Sequence, residues 1–318
     1  MSSPMASQMS SPRPSPIISV AELADRLGDP DLLVLDTRWY LGKPGEGRAA
    51  YLAGHIPGAI HLDLDADLAD LAGYGAPGRH PLPDPGAFAA RLAAAGVIDE
   101  TFVVAYDDVG GWVAARLWWM LDNLGHRGGV AVLDGGWTAW VAAGLPVTDV
   151  VPGPAAARVP PAGTAGSGSL YLADRWTGVI ARDEVASRLG ELTLLDARAA
   201  ARYRGETEPI DPIAGHIPTA LSAPWDANLD ADGRFLPADE LRKRFEGLLG
   251  GGPASGRGDV VTSCGSGTSA LHNSVAMRIA GLPDPILYVG SYSDWSRSGM
   301  PVATGPEPGD ASAVRARG

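Results

Sequence analysis

LVLDTR, at residues 33–38, returns as LLDAR at residues 194–198. A second matched pair is GHIP at 54–57 and GHIP at 215–218. Two further pairs keep the same order along the chain: FVVAY at 102–106 with DVVTS at 259–263, and a Gly/Trp/Gly/Pro/Val pattern at 135–147 with its copy at 290–302. The matched positions lie 155 to 161 residues apart. Ordered matches with small drifts in spacing indicate a duplicated domain.

Each copy alternates short apolar runs with helical patterns. Residues 32–35 and 102–105 have the length of buried strands and are bounded by polar residues, glycine or proline. Residues 84–95 and 112–124 follow the periodicity of helices. Alternating strands and helices predict an α/β fold in each copy, with a parallel sheet flanked by helices.

The repeat and the composition together predict five segments. They are a disordered tail at 1–16, an N-terminal domain at 17–150, a linker at 151–175, a C-terminal domain at 176–304 and a second tail at 305–318. A chain of 318 residues is about twice the usual domain size, which agrees with two domains.

Charge and hydropathy exclude several classes of partner. The chain has 25 basic and 37 acidic side chains, a net charge of −12, and no basic cluster that would bind nucleic acid. No run approaches the roughly 18 apolar residues of a membrane span, and the first residues lack the apolar core of a signal peptide. We expect a cytoplasmic protein that binds neither nucleic acid nor membrane.

The sharpest local signal is VVTSCGSGTSA at 260–270, which places the only cysteine, Cys264, between a strand and a helix. Small residues let the backbone curl so that several N–H groups point at one centre, and this arrangement stabilises a thiolate. The candidate residues of this loop are Gly265, Ser266, Gly267, Thr268 and Ser269. The alternative is a buried strand-end cysteine. A phosphatase or arsenate reductase would need arginine at position 270, which is alanine.

The repeat, the two GHIP turns and the CGSGTSA loop resemble the tandem rhodanese family of sulfurtransferases. The loop is similar to the CGSGVTA form of 3-mercaptopyruvate sulfurtransferases, and the resemblance covers residues 17–304. It implies a doubly wound fold in each half, an inactive N-terminal copy and a catalytic C-terminal copy with its site near the domain interface. Asp107 stands where the first copy would have its cysteine, and a carboxylate cannot carry a persulfide.

The resemblance also implies roles for residues outside the loop. Arg204 matches a substrate-binding arginine, and His55 matches a histidine proposed to act with an aspartate and Ser266. The expected aspartate has no counterpart, so the alternative for His55 is a turn-forming role. The family's second arginine is absent from 209–212, so we expect arginine in place of Asp211 to strengthen the use of mercaptopyruvate.

The predicted reaction is ping-pong sulfur transfer through a Cys264 persulfide, without a metal or organic cofactor. One cysteine excludes an internal disulfide and a Cys-rich zinc site. The donor is a small anionic sulfur compound, with 3-mercaptopyruvate favoured, and the acceptor is a thiol, cyanide or a thioredoxin-like protein. The alternatives are a thiosulfate:cyanide sulfurtransferase and a non-catalytic rhodanese-like sulfur carrier or interaction module.

Overall fold

The fold is given by a computed structural model that describes residues 14–71, 78–153, 169–250 and 258–315. The predicted tail at 1–16 and the predicted linker at 151–175 lie mostly outside the described residues.

The first half forms a parallel sheet of five strands within the described residues. The strands are β1 Ile17–Ile18, β2 Leu32–Asp36, β3 Ile60–His61, β4 Phe102–Tyr106 and β5 Val130–Leu133. The helices are α1 Val20–Arg26, α2 Glu46–Ala53, α3 Pro85–Ala94, α4 Trp112–Asn123 and α5 Gly136–Ala142. Across the sheet the strands follow the order β1-β5-β4-β2-β3.

The second half repeats this architecture. Its strands are β6 Val179–Ile180, β7 Thr193–Asp196, β8 Leu221–Ser222, β9 Val260–Ser263 and β10 Ile286–Tyr288. Its helices are α6 Arg182–Ser187, α7 Ala200–Tyr203, α8 Ala238–Leu248, α9 Ala270–Ile279, α10 Ser291–Trp295 and α11 Ser312–Arg315, with a 3₁₀ turn at Trp225–Asn228. The strand order β6-β10-β9-β7-β8 matches that of the first sheet, which confirms the predicted pair of doubly wound α/β units.

The central strands explain why the apolar runs in the sequence show no alternation. Strand β2 pairs in parallel with β4 over its whole length, from Leu32 opposite Phe102 to Asp36 opposite Tyr106. All five residues of β2 are buried, because helices cover both faces of a parallel sheet. The strands predicted at 32–35 and 102–105 and the helices predicted at 84–95 and 112–124 are confirmed.

The two halves share an apolar core. Helix α4 of the first half packs against α9 of the second. The buried side chains of both helices, among them Leu117, Leu121 and Leu271, belong to one cluster. Helices α4 and α9 follow β4 and β9, so their contact brings the carboxyl end of β9 against the first half. Ligands of doubly wound sheets bind at such ends.

A buried ion pair fixes the GHIP turn in each half. Arg38 contacts Asp36 at 2.6 Å and donates to the carbonyl oxygen of Gly54 at 2.7 Å. Arg198 likewise contacts Asp196 at 2.6 Å and donates to the carbonyl oxygen of Gly215, the first residue of the second GHIP turn. A buried guanidinium is tolerated when its charge is paired and its N–H groups have acceptors. The repeated Asp/Arg pairs therefore form part of the framework of each half.

Helix α11 lies within residues 305–318, which the sequence predicts to be a tail. Its Val314 is buried among the apolar side chains of the second half. Across the ranges that the structure describes, no helix has both the length and the apolar character that crossing a membrane requires.

Candidate active site

Cys264 lies at the carboxyl end of β9, in the turn that leads into α9. Its side chain is a free thiol and is buried. The sulfur accepts backbone N–H bonds from Ser266 at 3.4 Å and from Gly267 at 3.1 Å. N–H groups that converge on one atom stabilise negative charge there. The predicted cradle around the cysteine is thus present in the fold.

The rest of the second half supports the shape of this turn. The carbonyl oxygens of Cys264 and Gly265 accept N–H bonds of 2.9 Å from the first turn of α10. Gly267 has a φ of +78°, and a Cβ on it would lie 2.4 Å from the carbonyl oxygen of Val289. Only glycine fits that position, both in conformation and in space. The small residues of the loop therefore allow its N–H groups to face the sulfur.

A histidine from the first half reaches the loop. The Nδ1 atom of His80 lies 2.7 Å from Ser266 Oγ, and its Nε2 atom lies 3.2 Å from Asp65 Oδ1. Burial lowers the pKa of His80, and the hydrogen bond from His80 lowers the pKa of Asp65. A neutral ring that donates Nε2–H to Asp65 leaves Nδ1 free to accept the Ser266 hydroxyl proton. These three side chains, named here the relay, end beside Cys264.

His55, to which the family resemblance assigned this role with a turn-forming role as the alternative, does not contact Ser266 among the described residues. Its ring stacks on Tyr51 with centroids 4.0 Å apart, and its two nitrogens lie 2.8 and 3.2 Å from backbone carbonyl oxygens. His216 stacks on Tyr203 in the same way in the second half. Matching contacts in both halves fit the turn-forming alternative. His80 lies in a stretch without a copy in the repeat, so nothing in the sequence pattern pointed to it.

Arginine side chains line the mouth of the site, but Arg204 is not among them. Arg202 lines the pocket over Cys264 and donates to Glu208 at 2.6 Å. Arg204 instead is partly exposed, lies outside the pocket and pairs with Glu206 at 2.7 Å. Side chains two residues apart on a helix lie roughly 200° apart around the helix axis, so they point to opposite sides. The structure therefore places Arg202 at the pocket and the predicted Arg204 on the opposite side of the same segment.

The pocket over Cys264 is small and mostly apolar, with a volume of about 230 Å³. Its apolar wall consists of Trp39, Leu41, Trp112, Ile210 and Trp225. Of the predicted loop residues, Gly265, Ser266, Thr268 and Ser269 line it. The Thr268 hydroxyl is buried without a partner in the described part of the chain. Such a space suits a donor of few heavy atoms.

Arg116 of α4 carries a buried positive charge to the site. Its side chain donates to the backbone carbonyl oxygens of Leu68, His80, Pro81 and Gly267, at 2.9 to 3.4 Å. Within the described ranges it has no carboxylate partner. Burial lowers the pKa of Arg116 to about 10, while the charge of Cys264 acts in the opposite direction. The guanidinium is charged at neutral pH, so it brings a positive charge within electrostatic reach of Cys264. Nothing in the sequence distinguishes Arg116 from its neighbours, because it lies within the helical pattern of 112–124.

Asp107 occupies the corresponding position in the first half. It is fully buried, and its carboxylate accepts four backbone N–H bonds. The donors are Val109, Gly111, Val113 and Ala114, at 2.7 to 3.0 Å. The first loop thus forms an anion cradle that is filled by the chain's own carboxylate.

Comparisons with known proteins agree with these observations. The family described as Rhodanese-like domain matches residues 19–143 and 181–298. The "Probable 3-mercaptopyruvate sulfurtransferase" of Pseudomonas aeruginosa is 47% identical over 292 residues, which cover 91% of this chain and 98% of that protein. The "Thiosulfate sulfurtransferase" of Bos taurus is 32% identical over 277 residues, 86% of this chain and 87% of that one. The structure of 3-mercaptopyruvate sulfurtransferase from Leishmania major superposes with a TM-score of 0.74 at 29% identity, covering 89% of this chain and 74% of that chain.

Proposed function

This chain belongs to the rhodanese family and is a sulfurtransferase, and from this premise we propose that it takes sulfur from 3-mercaptopyruvate onto Cys264. The observation that carries the choice of donor is the relay, which ends at Ser266 beside the cysteine sulfur. A donor whose sulfur is bonded to carbon needs such a group. When its C–S bond breaks, the electron pair goes to carbon, and the carbon must take up a proton.

The proposed first half-reaction balances without any further reactant. The Cys264 thiolate forms an S–S bond to the sulfur of the donor, and the donor's C–S bond breaks. The Ser266 hydroxyl accepts the proton of the donor's thiol while its own proton passes to Nδ1 of His80. His80 then returns that proton to Ser266 as Ser266 gives one to the carbon, so the relay ends in its starting state. The products are pyruvate and a deprotonated persulfide on Cys264.

Binding of the donor falls to groups around the mouth of the pocket. We assign to Arg202 the role predicted for Arg204, because Arg202 lines the pocket and a guanidinium binds a carboxylate through charge-assisted hydrogen bonds. The hydroxyl of Thr268, which no residue of the described ranges contacts by a hydrogen bond, is available to the transferred sulfur. Gly265 and Ser269 complete the wall on that side.

An external acceptor removes the sulfur in the second half-reaction. The chain has one cysteine, so no second thiol can attack the persulfide from within the protein. A small thiol, cyanide or a thioredoxin-like protein can take this role, because each attacks sulfane sulfur as a nucleophile. We further propose that the reaction takes place in the cytoplasm, as composition suggests.

Thiosulfate is the second candidate donor. Three guanidinium groups, those of Arg79, Arg198 and Arg202, line the pocket, and such a set suits a dianion. Transfer from thiosulfate releases sulfite and needs no proton at carbon, so the relay would have no catalytic role in that reaction. The relay therefore favours 3-mercaptopyruvate.

A comparison of donors on one preparation tests the proposal. We expect the higher kcat/KM with 3-mercaptopyruvate. We also expect a mass gain of about 32 units, one sulfur, on the intact chain after donor is added without acceptor. Cys264→Ser should lose both the mass gain and turnover. Turnover by that variant, or a clear preference for thiosulfate, would contradict the proposed mechanism or the proposed donor, respectively.

A further inference from the structure

Arg79 comes from the first half of the chain but is fixed to the second half. Its backbone N–H donates to Ser293 Oγ at 3.0 Å, and its Nη1 donates to Asp211 Oδ1 at 2.5 Å. The preceding Gly78 has a φ of +121°, and a Cβ there would lie 2.8 Å from the carbonyl oxygen of Gly290. The backbone before His80 is therefore pressed onto the turn that supports the Cys264 loop.

One buried carboxylate holds two guanidinium groups side by side. Asp211 binds Arg79 through Oδ1 and Arg202 through Oδ2, the latter at 3.1 Å. Its side chain is fully buried, so these contacts are shielded from solvent. Arg297 also reaches Oδ1, at 3.2 Å, but is half exposed and does not line the pocket. Asp211 thus joins an arginine of the first half to an arginine of the second.

Each of the two guanidinium groups keeps N–H groups that no described residue accepts. Arg202 donates to Glu208 through Nε and Nη2, while its Nη1 lies 3.6 Å from the position of a Cβ on Gly265. The Nη2 of Arg79 lies 2.8 Å from that same position. The Nε of Arg79 is buried without a partner in the described ranges. Free donors from both halves therefore converge over the residue next to Cys264.

The net charge of the side chains around the pocket favours the binding of one anion. Four guanidinium groups face three carboxylates within this cluster, which leaves one positive charge without compensation among the described residues. The cations are Arg79, Arg198, Arg202 and Arg297, and the anions are Asp196, Glu208 and Asp211. An unpaired charge in a partly buried cluster is costly until a ligand neutralises it.

We propose that Arg79 is a donor-binding residue, which holds the donor's carboxylate together with Arg202, and that Asp211 is its positioning residue. The inference rests on the proposed function only for the identity of the donor. It implies that the donor site is complete only when both halves contribute. It also means that Asp211 does not mark a missing arginine, because Arg79 supplies the second guanidinium from the other half.

The test uses the full chain and two readouts. The first is kcat/KM for 3-mercaptopyruvate, which Arg79→Ala should lower roughly ten- to a hundredfold, mostly through KM. The second needs no turnover: pyruvate should protect Cys264 from alkylation by iodoacetamide, a neutral reagent, and Arg79→Ala should weaken that protection by a similar factor. Arg79→Lys should restore part of both effects, since ammonium keeps the charge but not the fork of donors.

Arg297→Ala is the matched control, because it also removes a cation from Asp211 but takes no donor from the pocket. Because Arg297 is half exposed, solvent screens its share of the positive charge of the cluster. We therefore expect both of its readouts to change by no more than about threefold, while Arg79→Ala should fall well outside that range. Equal effects of the two variants, or a lowered melting temperature of Arg79→Ala with unchanged protection, would show that Arg79 only joins the two halves. Lack of protection by pyruvate in the parent protein would also overturn the inference.

The two readouts separate this inference from the proposed function. If the parent protein transfers no sulfur from 3-mercaptopyruvate but pyruvate protects it through Arg79, the donor is wrong and the anion site stands. If transfer is fast and Arg79→Ala leaves it within twofold, the function stands and Arg79 has no part in binding.

Discussion

Removal of the Ser266 hydroxyl should slow sulfur transfer from 3-mercaptopyruvate much more than transfer from thiosulfate. In Ser266→Ala the backbone N–H of residue 266 still faces the cysteine sulfur, but the 2.7 Å contact to His80 is lost. A positioned proton donor contributes about 10²- to 10⁴-fold to rate, equivalent to about 2.7 to 5.5 kcal/mol. We expect kcat with 3-mercaptopyruvate to fall by that factor, since the departing carbon needs a proton.

With thiosulfate the same change should cost far less. Sulfite leaves without a proton, so only one neutral hydrogen bond near the sulfur is lost, which is worth about 0.5 to 1.5 kcal/mol, or roughly two- to twelvefold. The assay is steady-state kinetics with each donor at a fixed acceptor concentration. Ser274→Ala is the control, because it deletes a buried hydroxyl of α9 that has no partner among the described residues. Equal losses with the two donors would refute a proton-transfer role for the relay.

Three further predictions follow from individual side chains. Arg204→Ala should leave kcat/KM for both donors within twofold, because its guanidinium pairs with Glu206 outside the pocket; a larger loss would restore the original assignment. Asp107→Asn should lower the free energy of unfolding by about 2 to 6 kcal/mol in a denaturant titration, since two buried N–H groups lose their acceptor at about 1 to 3 kcal/mol each. A decrease in the free energy of unfolding of less than about 0.5 kcal/mol would mean that the N–H groups around residue 107 find other acceptors. Because burial lowers the pKa of His80, kcat with 3-mercaptopyruvate should hold as pH falls to about 6.5 and decline only below it, where the ring gains its proton. As pH falls, the unfolded chain takes up this proton before the folded protein does, so the free energy of unfolding should decrease over the same range. A kcat that already declines above pH 7 as the solution is acidified would contradict a neutral His80.

The structure also changes one expectation about Asp211. The sequence suggested that arginine there would strengthen the use of mercaptopyruvate. In the fold, Asp211 is buried and binds Arg79, Arg202 and Arg297. Arginine at this position would remove their shared acceptor and add a fourth positive charge. Like charges at such distances repel strongly in a shielded site, so we now expect the substitution to weaken donor binding.

The sequence by itself determined the features that depend on near neighbours in the chain. The apolar runs at 32–35 and 102–105 predicted buried strands because a parallel strand needs apolar residues on both faces. The glycine-rich turn after β9 predicted a cradle for Cys264 because backbone N–H directions are set by local φ and ψ. The repeat predicted two similar domains, since matching patterns fold into matching units.

Only the tertiary structure decided which side chains meet Cys264 from outside its loop. His80 and Arg79 lie more than 180 residues before the cysteine, and the contact of α4 with α9 brings their segment to it. Nothing in the spacing of residues encodes such a meeting, because it depends on how two separately folded halves pack. The position of Arg204 outside the pocket has the same cause. Arg204 and Arg202 lie in one short segment, and the spacing of residues does not show which of them faces the site. The motif identified the segment, but the side that faces the pocket was fixed by the orientation of α7 against the rest of the fold.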